Sequence, residues 1–188
     1  QKRCALLIQD SVHGSFSSSL EIDYDDLSIL INGQKIKFFD SDSMENLSDY
    51  GINDALLIDN TGVYKDYKSL ERHLKLKGIS KVLLTAPGQN MPNVVYGVNH
   101  NIININDDKI LSAASCTTNA IAPILKVISE DNNIIKGHIE TIHAYTNDQR
   151  LADVPHSDWR RSRAAAENVI PTTTGAARAV GKVLPELN

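Results

Sequence analysis

Five consecutive residues, Ser115-Cys116-Thr117-Thr118-Asn119, put a nucleophile and several hydroxyls into a single turn. Behind them Ile121, Ile124, Leu125 and Ile128 recur at helical spacing. Ser115 suits an N-cap, which places Cys116 in the first turn of that helix. Unpaired backbone N–H groups and the positive end of the helix dipole favour an anion there, which for a cysteine means the thiolate. Pro123 marks either a bend or a later helix start. A cysteine taken alone is more often a buried structural residue, so the chemical reading depends on the residues downstream. His138 and His143 lie in the alternating stretch Gly137–Thr146, which reads as a strand. Five positions apart, they point to opposite faces of it, so at most one of them faces the cysteine. His13, His73, His100 and His156 read as structural or solvated.

Three further segments carry anion-binding residue types. Thr146-Asn147-Asp148-Gln149 is a polar turn, Arg160-Arg161-Ser162-Arg163 a basic cluster, and Pro171-Thr172-Thr173-Thr174-Gly175 a hydroxyl-rich loop opening a helix. Hydroxyls and backbone N–H groups at a helix start hold phosphate, and guanidinium adds fixed bidentate donors.

The elements that must position these groups are legible upstream. Ser17–Phe39 reads as antiparallel strands with a hairpin turning at Asn32-Gly33. Asp40–Tyr50 reads as a polar loop. Ala55–Ile58 is a near-continuous apolar run, the pattern of a strand buried on both faces. A helix from about Asp66, stopped at Gly78, leads to a second apolar strand, Lys81–Thr85, which makes a βαβ unit with parallel strands. Ligands of such sheets sit at the carboxyl ends of the strands. Thr61, Gly62 and Thr85 fall there: two hydroxyls, and a glycine that lets backbone come close.

The 188 residues carry a net charge of −4 and are 41% hydrophobic, as in ordinary globular domains. The mild acidity gives no support to nucleic-acid binding, which usually shows a basic stripe. No apolar run approaches membrane-spanning length. Two cysteines, Cys4 and Cys116, make no disulfide framework, and a reactive cysteine fits a reducing, cytoplasmic setting. No metal-ligand spacing stands out. Gln1–Ile8 reads as a helix without a cap before it, and Ala176–Leu187 as an amphipathic helix still running, so an internal segment of a longer protein is expected.

Taken together, Ser115-Cys116-Thr117-Thr118-Asn119, the stretch His143–Gln149, Asp158-Trp159-Arg160-Arg161, the stretch Ile170–Ala177 and the stretch Val180–Asn188 resemble the phosphorylating glyceraldehyde-3-phosphate dehydrogenase family. Asp10–Gly14, Asn60–Val63, Thr85-Ala86-Pro87 and Tyr96–His100 are similar to it as well, so the resemblance runs over essentially the whole chain. Asp59-Asn60-Thr61-Gly62 and the Ser112-Ala113-Ala114 before Ser115 resemble a longer bacterial branch. The implied fold is α/β: part of a Rossmann-type parallel-sheet NAD(P)-binding domain in residues 1–115, then part of an α+β catalytic domain in 116–188. The glycine-rich loop of the family's first βαβ unit has no counterpart, since no G-x-G-x-x-G occurs. A further substrate-phosphate arginine and a nicotinamide-binding asparagine are missing too. NAD and NADP therefore both stay open as cofactor.

The resemblance implies roles residue by residue. Cys116 attacks the aldehyde of glyceraldehyde 3-phosphate, and His143 acts as base while hydride leaves. Inorganic phosphate then releases the thioester as 1,3-bisphosphoglycerate. Thr146 and Asp148 match the substrate-phosphate side, and Ser115, Thr117, Arg161, Thr174 and Gly175 the attacking-phosphate side. Thr61, Gly62, Thr85 and Asn147 match positions along the cofactor. Arg163 shares the role of Arg161 or serves structure. The loop from about Asp148 to Ala166 would lie at a subunit interface, which implies a homotetramer. Three alternatives stand beside this. Erythrose-4-phosphate dehydrogenase shares the cysteine and histidine but differs in pattern after the histidine and in the threonine loop. The others are a nucleic-acid- or protein-binding module, and an inactive fragment lacking its cofactor cradle.

Overall fold

The computed structural model describes residues 2–39 and 47–188, with the side chains of Lys2 and Arg3 outside the description. The expected loop over residues 40–46 lies outside the described residues. The chain forms two compact units, Gln1–Gly51 and Ile52–Asn188.

In the first unit, helix α1 (Lys2–Ile8) leads into a two-residue antiparallel pair, β1 (Gln9–Asp10) and β2 (Gly14–Ser15). A three-stranded antiparallel sheet follows, β3 (Leu20–Asp23), β4 (Ser28–Ile31) and β5 (Gln34–Lys37) in that spatial order. Its register pairs Ile31 with Gln34 across the expected Asn32-Gly33 turn. Both turn residues have positive φ (49° and 79°), the backbone a two-residue hairpin needs and that Asn-Gly adopts readily. Asp26 lies between Lys35 and Lys37, whose ammonium groups pull its carboxyl down to about 2. Leu47–Tyr50 closes the unit as a single 3₁₀ turn.

The second unit is built on a parallel sheet, β6 (Ala55–Asp59), β7 (Ile79–Leu84) and β8 (Ile110–Ser112), in that order. The βαβ crossover is present, but its helix is short. Asp66 caps α2 (Tyr67–Leu70) by accepting the Ser69 N–H, and a 3₁₀ stretch, Glu71–Lys75, completes it. Gly78 (φ 103°) ends the segment. Leu70, Val82, Leu84 and Ile110 form a core on that face of the sheet. The expectation that Ala55–Ile58 is buried on both faces is not met: Leu56 and Ile58 stand 53% and 56% exposed. β6 is the edge strand of the sheet, and both side chains stay largely in solvent.

Helix α3 (Cys116–Asp131) begins four residues after β8 and accommodates Pro123 without a break in its span. Its inner side, with Ala122, packs with Val180 and Val183 of α4 (Ala176–Val183) and with Val95 and Val98. The segment 137–146 forms no strand. Its alternation is strand-like, but no backbone ladder partners it among the described residues, and most of it is exposed.

Candidate active site

β6, β7 and β8 run in parallel, so their carboxyl ends share one edge of the sheet. Thr61 follows β6, Thr85 follows β7, and Cys116 follows β8. The sheet therefore delivers all three to one side of the unit.

The Ser115 cap forms as its type requires: Ser115 Oγ accepts the Thr118 N–H at 3.0 Å and meets Thr118 Oγ1 at 2.6 Å. Cys116 occupies the first helical position and is exposed. Its Sγ lies 3.6 Å from His143 Nε2, with Thr117 Oγ1 at 3.9 Å. The opposite ring nitrogen, Nδ1, lies 2.6 Å from the Ala144 carbonyl oxygen, which can only accept, so Nδ1 carries the proton. Nε2 is thus the atom that exchanges a proton with sulfur. His143 lowers the Cys116 thiol below its ordinary value, overcoming the opposing effect of partial burial, and Thr117 adds to the lowering. The Ala144 carbonyl, and after it Cys116, raise His143 above its ordinary value. Both shifts widen the pH range over which thiolate and imidazolium coexist.

Thr146 and Asn147 line an open groove of about 440 Å³ with Tyr145, Gln149, Arg150 and Leu151. Gln149 Oε1 accepts from the Thr146 backbone N–H at 2.6 Å and folds the turn on itself. Asp148 and Arg161, assigned from sequence to different anion sites, are brought together as an ion pair. Arg161 also reaches Thr172 Oγ1 through Nε and Nη2, each at 3.3 Å, and lies 3.9 Å from Asp158. Its guanidinium thereby ties the polar turn to the threonine loop. Arg163 instead pairs with Asp153 at 2.6 Å. Thr174 Oγ1 accepts from Ala176 N at 3.2 Å, and Gly175 is the N-cap of α4 with open space beside its Cα. No hydrogen bond among the described residues links Thr174 or Gly175 to Cys116 or Thr117.

Thr61 and Thr85 meet on one residue that sequence reading passed over. The buried Asp59 accepts from Thr61 N (3.0 Å) and Thr61 Oγ1 (2.8 Å), and its backbone carbonyl accepts from Thr85 N (3.0 Å) and Thr85 Oγ1 (3.2 Å). Its other carboxylate oxygen lies 2.9 Å from His73 Nε2. Burial pushes the Asp59 carboxyl up, and the Thr61 and His73 contacts outweigh it, leaving the group lowered. The available signal was a charged residue closing an apolar strand and a histidine one crossover later. Gly62 (φ 73°) has open space where a side chain would be. Among the described residues, no group of three or more His, Cys, Asp or Glu is placed to hold a metal ion, and no helix is long and apolar enough to cross a membrane.

Fold and site together define an α/β protein whose parallel strands lead, at their carboxyl ends, to a close cysteine–histidine pair. The family description "Glyceraldehyde 3-phosphate dehydrogenase, C-terminal domain" matches residues 115–188. A "Glyceraldehyde-3-phosphate dehydrogenase-like protein" of Pseudomonas aeruginosa is 48% identical over 99% of this chain and 41% of its own length. "Glyceraldehyde-3-phosphate dehydrogenase 2" of Trichormus variabilis is 46% identical, and "Glyceraldehyde-3-phosphate dehydrogenase" of Geobacillus stearothermophilus 42%, each over 97% of this chain and 54% of its own. The chain is thus similar to glyceraldehyde-3-phosphate dehydrogenases along nearly its whole length, and it spans about half the length of the curated relatives it matches.

Proposed function

We propose that this chain carries the nucleophilic centre of a phosphorylating glyceraldehyde-3-phosphate dehydrogenase. The observation that carries the reading is the 3.6 Å approach of His143 Nε2 to Cys116 Sγ at a helix N-terminus. The Cys116 thiolate attacks the aldehyde carbon of glyceraldehyde 3-phosphate, forming a C–S bond and a thiohemiacetal. The imidazolium Nε2–H of His143 passes its proton to the developing oxyanion, giving the hydroxyl of the thiohemiacetal, while the Cys116 backbone N–H can stabilise the negative charge. His143 Nε2, now neutral, takes that hydroxyl proton back as the carbon is oxidised to the thioester. A bound nicotinamide dinucleotide, NAD or NADP, supplies the hydride acceptor. An oxygen of inorganic phosphate then attacks the thioester carbon, the C–S bond breaks, and the thiolate returns as 1,3-bisphosphoglycerate leaves.

Thr61, Gly62, Thr85 and Asn147 are the residues assigned to the cofactor. The paired threonines at two adjacent strand ends and the open space at Gly62 fit a planar or sugar group resting on the sheet edge. Thr146 and Asp148 are assigned to the substrate phosphate, and Ser115, Thr117, Arg161, Thr174 and Gly175 to the attacking phosphate. A boundary between cofactor-binding and catalytic parts at residues 115/116 is supported by the start of the family match at Ser115. A cytoplasmic homotetramer is the proposed form, with the exposed apolar residues Leu151 and Trp159 at the subunit interface.

The test is nicotinamide reduction, followed by absorbance, with glyceraldehyde 3-phosphate in the presence and absence of inorganic phosphate. Phosphate-dependent turnover that Cys116→Ser abolishes is expected. Turnover indifferent to phosphate points instead to hydrolytic chemistry of the erythrose-4-phosphate dehydrogenase kind. A folded protein without turnover on either substrate refutes the reading.

A further inference from the structure

Between the loop after β7 and the nucleophile lies a buried polar hub that none of the assigned roles uses. Ser112, fully buried at the end of β8, spends its whole hydrogen-bonding capacity there. Its Oγ donates to the Ala86 carbonyl oxygen at 2.6 Å and accepts from Gly88 N and Ala114 N, each at 3.0 Å. A hydroxyl has one proton and two lone pairs, so no capacity remains. Asn93 seals the same loop: its Oδ1 shares the Gly88 N–H at 2.9 Å and lies 3.0 Å from Ser112 Oγ, and its Nδ2 donates to the Gly88 carbonyl at 2.9 Å. The fit is close: a Cβ on Gly88 would lie 2.8 Å from Ser112 Cβ.

On the other side of the hub the chain makes an unusual turn. Ala114 is buried and has φ 59°, a left-handed conformation that a non-glycine residue adopts only when its surroundings impose it. Its neighbours are held just as fully. Ala113 N donates to the Leu84 carbonyl at 2.8 Å. Asn119 Nδ2 donates to the carbonyls of Ala113 (2.8 Å) and Ser115 (2.9 Å). The bonds of Ser112 from one side and Asn119 from the other thus fix the three residues between strand and nucleophile.

We infer that Ser112 and Asn119 are positioning residues for Cys116: by imposing the left-handed turn at Ala114 they set where the sulfur lies relative to His143. The inference deepens the proposed thiolate chemistry and rests on it. Because Ser112 also binds Ala86 and Gly88, the same hub ties the nucleophile to the loop that follows Thr85. A ligand lying on that loop and a substrate on Cys116 therefore share one rigid reference.

The test reads the thiol itself in the full chain, without substrate. Iodoacetamide alkylation of Cys116 is followed across pH by peptide mass analysis, with the buried Cys4 as internal control. In Ser112→Ala and Asn119→Ala the alkylation midpoint should move toward that of an ordinary thiol, and the rate near neutral pH should fall about threefold or more. Ile110→Val, which trims the same strand's core without touching the hub, should lower the melting temperature and leave the profile in place. Asn119 is exposed, so its variant keeps the test open if Ser112→Ala fails to fold. Profiles of the folded variants that superimpose on the parent's, whatever the loss of stability, overturn the inference. A parent chain with a lowered midpoint but no phosphate-dependent turnover sinks the proposed activity alone, and the shift in the variants still decides the positioning role.

Discussion

Replacing Asp59 tests how the strand-end site is held. Its carboxylate is 1% exposed and takes two bonds from Thr61 and one contact from His73, itself mostly buried. Asp59→Ala removes all three, leaves the His73 ring nitrogen without a partner, and leaves the Thr61 hydroxyl only as the acceptor of the Val63 N–H. Hydrogen bonds to a charged group are worth about 1.5–3 kcal/mol each, and breaking a buried pair by deleting one partner costs about 3–5 kcal/mol. The terms overlap, so a loss of about 3 kcal/mol is expected. With a urea m-value near 2 kcal/mol/M for a unit of this size, the unfolding midpoint should fall by about 1.5 M. Asp59→Asn keeps the acceptor for Thr61 and loses only the charge, so about a third of that loss is expected. The pH dependence has a defined sign. A carboxyl lowered in the folded state contributes stability above its unfolded value, and that contribution disappears as pH falls through the folded value. The alanine variant should therefore show a flatter acid limb than the parent. A loss under about 1 kcal/mol with an unchanged acid limb would refute the reasoning, because it would mean the pair only offsets its own desolvation.

Other substitutions probe separate parts of the structure. His143→Ala should move the pH midpoint of Cys116 alkylation upward, since His143 is the largest cause lowering that thiol, and Nε2 is its nearest partner. In the parent, reactivity should fade as pH drops through the lowered thiol value. Leu70→Ala, at a fully buried position against Val82 and Ile110, should cost about 2–5 kcal/mol in chemical denaturation. Gly33→Ala, at φ 79°, should weaken the β4–β5 hairpin by about 1 kcal/mol, seen as faster amide exchange at Ile29 and Ile36. Arg161→Ala releases Asp148 and Thr172 together and, on the proposed function, should raise the inorganic phosphate concentration needed for half-maximal turnover about tenfold.

Local chemistry made much of this legible in advance. An Asn-Gly pair between alternating strands specifies its own turn, and the strand–helix–strand spacing could only be closed in parallel. The Ser115 cap followed from residue type alone, whereas the choice of His143 over His138 as the partner of Cys116 came only from the family resemblance. What escaped depended on partners. Residues 137–146 alternate like a strand, yet a strand exists only through its neighbours, and none pairs with it among the described residues. Asp148 and Arg161 read as ligands of two anions because nothing in a 13-residue separation says that they meet each other. Ser112 and Asp59 look like any polar residue at a strand end until their burial is known. The left-handed backbone at Ala114 leaves no trace in an alanine.

The exposed side of β6 has a practical meaning. Leu56 and Ile58 offer an apolar row on a strand that, among the described residues, has no neighbouring strand along its outer edge. That pairing of greasy face and open edge is the geometry by which sheets recruit foreign strands. Residues 55–59 are therefore where association between copies should begin in concentrated solution. A single lysine at position 56 or 58 would keep the chain dispersed while leaving the cysteine centre untouched.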